Sequence, residues 1–293
     1  MKNKSGRTEI AKRSLQIIED GFYLFGNEDK VIVKDKIAHS VAQTRTYTPE
    51  AIHALKEEVL AMDKDKFDCS IEVWNSSTIE ALQKLAGGSK IGVLNFASAK
   101  NPGGGFLGGA SAQEESLARS SSLYAALTKD WNMYEYNRSR TTLLYSDYLI
   151  YSPETIFWFN DEGDFLPELL VADVITSPAP NRGAILQNNR EDELELLPGV
   201  FKERIMQVLS IAYKHGCDTL ILGAWGCGVF RNEPADVAAY FDEVIGSHFR
   251  SAFKRIVFAI YDRSKEEVNI QAFKNIHHNQ APKGGTSYGK LTK

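Results

Sequence analysis

The chain has 293 residues, of which 43% are hydrophobic and 25% are charged, a composition typical of globular proteins. This length fits one large domain, or one domain with an extension. The 34 Lys and Arg residues and 38 Asp and Glu residues leave a formal net charge of −4. This acidic balance argues against a protein that wraps a polyanion such as DNA or RNA through its overall charge.

The cysteines and the apolar segments point to a protein of a reducing compartment. Cys69, Cys217 and Cys227 are odd in number and form no CxxC pair, so we expect neither a disulfide framework nor structural zinc. The six histidines show no metal-ligand spacing. No apolar run approaches the roughly 20 residues of a membrane span, and no signal peptide is evident. We therefore expect a cytoplasmic protein that binds no membrane and no metal.

The first part of the chain predicts helices and a short strand but contains no chemical motif. The predicted elements are a helix over residues 8–20, a strand over residues 31–33 and a helix that begins at Thr48. The second helix is indicated by a threonine N-cap followed by proline at the first helical position. We assign residues 1–62 to an accessory N-terminal helical extension.

From residue 63 onward, predicted strands alternate with predicted helices. Near-continuous apolar strands of this kind are typical of a parallel sheet that helices cover on both faces. The strands are expected at residues 70–74, 91–96, 169–176, 219–222 and 255–261, and the helices at residues 77–85, 111–127, 201–212 and 237–245. The sequence therefore predicts an α/β fold of three layers with a mostly parallel, mixed central sheet over residues 63–281. A flexible tail is expected over residues 282–293.

Residues 101–115 combine a glycine-rich loop with a pair of glutamates. Five of the seven residues from Gly103 to Gly109 are glycine. Because the loop lies between a predicted strand and a predicted helix, its free backbone N–H groups are expected to bind an anion; a mobile surface loop is the alternative. Gly103, Gly105 and Gly108 also match GxGxxG, but they lie too far from the preceding strand for a dinucleotide-binding turn.

Glu114 and Glu115 follow this loop at the start of a predicted helix. Adjacent carboxyl groups beside an anion-binding loop suit a general acid for glycosidic cleavage, because each negative charge favours the neutral form of the other. Two structural alternatives stay open. Ser111 and Glu114 have the spacing of a capping box, and Glu115 and Arg119 have the spacing of a surface ion pair on a helix.

A second glycine-containing loop, residues 223–230, also lies between a predicted strand and a predicted helix. Gly226 and Gly228 would allow backbone N–H groups to approach a phosphate closely. Phe230 is either a cover for a sugar or base, or a core aromatic residue. Cys227 is flanked by glycines, but no histidine lies nearby in sequence to activate it as a nucleophile.

Taken together, these motifs resemble the bacterial-type poly(ADP-ribose) glycohydrolases, which are macrodomain proteins. The resemblance rests on residues 95–98 (Asn-Phe-Ala-Ser), 101–105 (Asn-Pro-Gly-Gly-Gly) and 113–115 (Gln-Glu-Glu). Residues 177–181 and 226–230 look like a later strand end and the phosphate loop of the family. The N-terminal extension is similar to the accessory region of these proteins.

The resemblance implies a macrodomain-like fold and hydrolysis of the ribose–ribose O-glycosidic bond of poly(ADP-ribose) from the chain end, with release of ADP-ribose. It implies that Glu115 is the catalytic acid and that Glu114 positions the scissile riboses. The other expected substrate contacts are Asn101, Gly103, Gly104, Gly105, Gln113, Gly226, Cys227, Gly228, Val229 and Phe230. The expected partners are the polymer, ADP-ribose and the ADP-ribosylated proteins that carry the polymer. No cofactor, DNA or RNA is expected.

Two other functions fit parts of the pattern. A macrodomain that binds ADP-ribose without cleaving it would need both glycine loops but not Glu115. An NAD-dependent oxidoreductase would rest on the GxGxxG spacing alone and would need a site for the nicotinamide.

Overall fold

A seven-stranded mixed sheet forms the centre of the protein. The computed structural model describes residues 2–26, 29–274 and 276. The strands are β1 (Phe22–Phe25), β2 (Asp29–Ile32), β3 (Arg45–Tyr47), β4 (Ser70–Trp74), β5 (Ile91–Phe96), β6 (Leu149–Phe159), β7 (Phe165–Ser177), β8 (Thr219–Leu222) and β9 (Arg255–Ala259). The helices are α1 (Lys4–Asp20), α2 (Lys34–Gln43), α3 (Pro49–Leu60), α4 (Thr78–Leu85), α5 (Gln113–Ser120), α6 (Leu123–Leu127), α7 (Asn132–Arg138), α8 (Arg182–Gln187), α9 (Glu191–Lys214), α10 (Pro234–Val244) and α11 (Val268–Lys274). None of these helices has the apolar length that crossing a bilayer requires.

The order of strands in the sheet places the loops that carry the sequence motifs at one edge. The order is β3-β6-β7-β5-β8-β9-β4. The five strands from β7 to β4 are parallel, whereas β6 is antiparallel to both of its neighbours. The prediction of a mostly parallel, mixed sheet is confirmed. Because parallel strands end at the same edge, the loops after β5 and β8 lie side by side there.

Helices cover both faces of the sheet, and each face has its own apolar core. Val93 of β5 packs into the core beneath α4 and α5, where Leu82 and Leu117 are buried. Leu94, the next residue, packs into the opposite core with Phe201 of α9. Successive residues of a strand point to opposite faces, so a strand buried on both sides reads as an uninterrupted apolar run.

The N-terminal region has more structure than the sequence predicted. Helix α1 begins at Lys4, because the Asn3 side chain accepts a hydrogen bond from the Gly6 N–H and caps it. The strand expected at residues 31–33 belongs to a separate two-stranded hairpin of β1 and β2. Helix α2 was not predicted, and it buries only Ile37 and Ser40. Strand β3 joins the central sheet as its edge strand beside β6. The boundary at residue 62 stays a prediction.

Two further elements differ from those predicted, and Ser121 and Pro153 explain the differences. The helix expected over residues 111–127 is divided into α5 and α6 by Ser121, whose backbone is extended and forms a bridge to Phe157 of β6. Strand β6 was missed because Pro153 interrupts its apolar pattern, and the register with β7 shifts between Ser152 and Thr155. The tail expected over residues 282–293 lies outside the described residues.

Candidate active site

A cleft of about 870 Å³ lies along the carboxyl edge of the parallel strands. It is lined by residues that follow β4, β5, β8 and β9 and by the first turn of α5. Its volume lies within the range of roughly 300–1,000 Å³ that is usual for small-molecule sites. Motifs that are far apart in sequence meet here because the sheet order brings their strands together.

The glycines of residues 101–109 let the loop approach two neighbours closely. Gly104 has a φ of +58°, and a Cβ at this position would strike the carboxylate of Glu115. Gly109 has a φ of +76°, and a Cβ there would lie 2.5 Å from the carbonyl oxygen of Lys4 in α1. The loop is therefore packed between α5 and α1 at positions that only glycine fits.

Glu115 lines the cleft with one carboxyl oxygen fixed and the other without a partner. Its Oε1 accepts a hydrogen bond of 3.0 Å from the Gly105 backbone N–H. Its Oε2 is buried and has no hydrogen-bond partner within the described part of the chain. Glu115 thus combines a place in the lining of the cleft with a carboxyl oxygen that no protein group occupies, and such an oxygen can give or take a proton.

Glu114 is buried beneath the cleft, with 2% of its surface exposed. Its Oε2 accepts a hydrogen bond of 2.6 Å from the Ser98 N–H, and its Oε1 accepts one of 3.3 Å from the Asn95 side chain. The pKa of Glu114 is raised to about 8, mainly by burial and in smaller part by the neighbouring Glu115 charge, although the hydrogen bonds from Ser98 and Asn95 oppose the rise. Near neutral pH, Glu114 therefore holds a proton.

Both structural alternatives for the glutamates are wrong. Helix α5 has Ala112 at its N-cap, so Ser111 and Glu114 form no capping box. Arg119 is buried rather than on the surface, and it donates to the carbonyl oxygen at the end of the glycine loop over 2.9 Å. No ion pair joins Arg119 to Glu115 in the described structure. Both carboxyl groups are thus free of these structural roles.

Gln113 and Asn101, both expected to contact ribose, have protein partners. The Gln113 side chain accepts from the Phe96 N–H over 2.9 Å and donates to the Leu94 carbonyl over 2.8 Å. These bonds fix the start of α5 to the end of β5, and the side chain also lines the cleft. Asn101 is exposed, lies outside the set of cleft-lining residues, and accepts a hydrogen bond from Arg138.

The second glycine loop lines the same cleft as Glu115 with all of residues 226–230. Gly226 has a φ of +73°, and a Cβ there would lie 2.6 Å from the side-chain nitrogen of Asn232. A Cβ at Gly228 would meet no atom within 4 Å, and Val229 is 78% exposed. Phe230 is half-buried and packs against Tyr145. The loop is thus fixed at its start and open to the cleft at its middle.

Cys227 lines the cleft but is not an activated thiol. Burial raises its pKa to about 12. Its Sγ lies 3.8 Å from the Trp225 carbonyl oxygen, and no histidine occurs among the residues described as lining the cleft. The thiol is therefore protonated at neutral pH, as expected for a cysteine that is not a nucleophile.

Sequence analysis did not identify several of the residues that line the cleft. The missed residues follow β4 and β9 or lie in the turn between β6 and β7; among them are Ser76, Ser77, Thr78, Tyr261, Arg263 and Asp161. Asp161 is linked to this group by a hydrogen bond of 2.5 Å from the Ser77 hydroxyl. For the residues that follow β4 and β9, the available signal was their position, because every parallel strand of the sheet ends at the edge where the cleft lies.

The chain matches known proteins in sequence and in structure. Residues 11–160 match the family model of the microbial-type PARG catalytic domain. Poly(ADP-ribose) glycohydrolase (PARG) from Thermomonospora curvata is 40% identical, with 93% of this chain and 99% of that chain covered and a TM-score of 0.87. The same protein bound to the inhibitor ADP-HPD gives 40% identity, 92% and 99% coverage and a TM-score of 0.84.

A PARG from a second organism gives a similar result. The Deinococcus radiodurans enzyme in complex with ADP-ribose is 40% identical, with 84% of this chain and 98% of that chain covered and a TM-score of 0.79. No curated protein matches the chain. The solved structures confirm the expected macrodomain-like fold, and the family match favours the glycohydrolase over the non-catalytic binding module and the oxidoreductase. The chain belongs to the microbial-type poly(ADP-ribose) glycohydrolases and is an enzyme that hydrolyses poly(ADP-ribose).

Proposed function

We propose that this glycohydrolase holds the terminal ADP-ribose unit of the polymer in the cleft and cleaves the adjoining ribose–ribose bond with Glu115 as general acid and base. ADP-ribose is then released from the chain end. The observation that carries the proposal is the carboxyl group of Glu115, which has Oε1 fixed by Gly105 and Oε2 without a partner at the wall of the cleft.

The reaction requires two proton transfers, and Glu115 takes part in both. Glu115 donates a proton to the leaving ribose oxygen as the glycosidic bond breaks, which leaves an oxocarbenium-like sugar. The ionised Glu115 then removes a proton from the attacking water, whose oxygen bonds to the sugar, so the carboxyl group ends as it began. The negative diphosphate of a bound substrate favours the uncharged form of a nearby carboxyl group at the start of the cycle.

Glu114 acts as a positioning residue in this proposal. In its neutral form, it adds no negative charge beside Glu115 and can donate a hydrogen bond. Its contacts with Ser98 and Asn95 fix it to the end of β5. We infer that it orients the two riboses at the scissile bond.

Backbone N–H groups hold the diphosphate and the terminal ribose in this proposal. They come from the second glycine loop, residues 226–230, because the N–H groups of Gly104 and Gly105 already donate to Asn101 and Glu115. Gly103, Gly104, Gly105, Asn101 and Gln113 are further substrate contacts in this proposal. The solved Deinococcus radiodurans relative is in complex with ADP-ribose, which supports the same ligand here. Backbone dipoles bind phosphate without basic side chains, so the net charge of −4 is compatible with an enzyme that holds one end of the polymer. ADP-ribosylated proteins are the inferred carriers of that polymer.

The test is Glu115→Gln assayed on labelled poly(ADP-ribose), with product sizing and calorimetric titration of ADP-ribose. Loss of general acid catalysis should lower kcat by about a thousandfold while the Kd for ADP-ribose changes little. Glu168→Gln is the matched control, because it removes a carboxylate from an exposed position on β7. Turnover close to that of the parent would exclude Glu115 as the acid, and oligomeric early products would exclude cleavage from the chain end.

A further inference from the structure

An aromatic and basic surface lies beside the glycine loop, outside the cleft. It consists of Trp131, Tyr136, Arg138, Arg140 and Tyr148, and we call it the basic–aromatic face. Trp131 is 38% exposed. The two arginines are exposed, and the two tyrosines are half-buried. The enzyme mechanism proposed above uses none of these residues.

Each arginine of the face is stacked on an aromatic ring. The Arg138 Cζ lies 5.4 Å from the centre of the Trp131 ring. The Arg140 Cζ lies 4.7 Å from the centre of the Tyr136 ring, which in turn lies 5.1 Å from that of Tyr148. Neither guanidinium has a carboxylate within ion-pair distance among residues 2–26, 29–274 and 276. The face therefore carries two uncompensated positive charges in a protein whose net charge is −4.

The glycine loop connects the face to Glu115. The Arg138 guanidinium donates to the Asn101 side-chain oxygen over 3.3 Å. The Asn101 carbonyl accepts a hydrogen bond of 3.0 Å from the Gly104 N–H, and Gly104 lies against the Glu115 carboxylate. Only the width of the loop therefore separates the face from the carboxyl group.

The sheet order places the cleft and the face on opposite sides of Glu115. The cleft extends along the carboxyl ends of β4, β9, β8 and β5. The face precedes β6, which lies beyond β5 and β7 and is antiparallel. Its amino end, Leu149, therefore lies at the same edge as the cleft. A polymer with its last unit in the cleft and its scissile bond at Glu115 would continue toward this face.

We propose that the basic–aromatic face binds the ADP-ribose unit that adjoins the terminal one, on the part of the polymer that remains after cleavage. The guanidinium groups of Arg138 and Arg140 pair with its diphosphate, and its adenine stacks on the exposed aromatic surface. This inference rests on the proposed function, since it takes Glu115 as the site of cleavage. The face supplies the local positive charge that the composition of the whole chain lacks.

The test compares binding of two ligands in the inactive Glu115→Gln protein. Added Arg138→Ala and Arg140→Ala substitutions should weaken poly(ADP-ribose) binding by roughly tenfold and reduce its salt dependence. Binding of free ADP-ribose, which occupies only the cleft, should not change. The matched control is Arg250→Ala with Lys254→Ala, which removes two exposed positive charges before β9, at the opposite edge of the sheet. Equal polymer affinity in the arginine variant and this control would overturn the proposal.

Two further measurements separate this inference from the proposed function. In the active enzyme, the arginine variant should raise the KM for polymer and leave kcat nearly unchanged, and Arg138→Lys with Arg140→Lys should restore part of the affinity. A para-nitrophenyl glycoside of ADP-ribose, which has no second unit, should react as in the parent. Equal losses on both substrates would contradict the face as a polymer subsite. If the parent released no ADP-ribose from polymer, the proposed function would fail, and the binding comparison would still decide the role of the face.

Discussion

The carboxylate of Glu115 packs against Gly104 at the point where every other residue has its Cβ. Gly104→Ala is therefore expected to displace the carboxylate and to strain a backbone with a φ of +58°. Misplacement of the proposed acid should lower kcat by about a hundredfold, as measured on poly(ADP-ribose). Gly108→Ala is the control in the same loop, because a Cβ there meets no atom within 4 Å. Similar activity in the two variants would contradict the close fit between Gly104 and Glu115.

Glu114→Gln should remove a pH dependence of stability. Burial raises the pKa of Glu114 from 4.5 to about 8, so the folded protein retains a proton that the unfolded chain releases. The stabilisation that the neutral carboxyl group provides is complete below the pKa of Glu114 in the unfolded chain. It is lost as the pH rises through the pKa of Glu114 in the folded protein. Between these values, the free energy of unfolding should fall by up to about 1.4 kcal/mol per pH unit relative to the variant.

Urea denaturation of the parent and Glu114→Gln proteins at several pH values measures this difference. The variant should become progressively more stable than the parent from about pH 5 to about pH 8. Parallel stability curves over this window would show that Glu114 has the same pKa in the folded and unfolded chains.

Arg7→Ala should loosen the end of the glycine loop without disturbing the rest of α1. The Arg7 Nε donates to the Gly109 carbonyl oxygen over 2.7 Å, and loss of such a bond costs about 1 kcal/mol. Hydrogen exchange of the Ala110 amide should therefore become faster. The control is Arg13→Ala on the same helix, which loses a hydrogen bond of 3.0 Å to Gly163. Faster exchange of the Ala110 amide in the Arg13→Ala control alone would show that Arg7 does not hold the end of the glycine loop.

Cys227→Ala should retain the turnover of the parent, because burial keeps the pKa of this thiol at about 12. The protonated thiol is a poor nucleophile, so iodoacetamide at neutral pH should modify it slowly. Steady-state kinetics and mass spectrometry check the two expectations. A loss of turnover comparable to that of Glu115→Gln would give the thiol a direct part in the reaction.

The parts of the site that are continuous in sequence were the parts that sequence could predict. The glycine loop and the two glutamates lie within residues 101–115, and their order alone indicates an anion site beside a carboxyl pair. Tyr261 and Asp161 were missed, because their place in the cleft depends on the strand order and on the turn between β6 and β7, neither of which local sequence shows. Local pattern also left open capping and ion-pair roles for Glu114 and Glu115, whereas burial and contacts across β5 distinguish the two carboxyl groups.

Two elements of the fold, α2 and β6, were also missed, and each omission has a physical reason. Helix α2 begins after Val33 without a side-chain cap and buries only Ile37 and Ser40, so no N-cap residue marks its start in the sequence. Strand β6 contains Pro153, a residue that usually marks an edge strand or a bulge. Here the bulge between Ser152 and Thr155 accommodates it, within a strand that is paired on both sides.

Strand β3 has a protective effect that extends beyond its three residues. It pairs with Tyr151, Ile150 and Leu149 of β6, one of the longest strands described. Without β3, the backbone N–H and C=O groups of β6 would be a ready template for strands of other molecules. A chain that began after β3 would keep the two glutamates and the residues of both glycine loops, but it would self-associate into aggregates through the uncovered edge of β6.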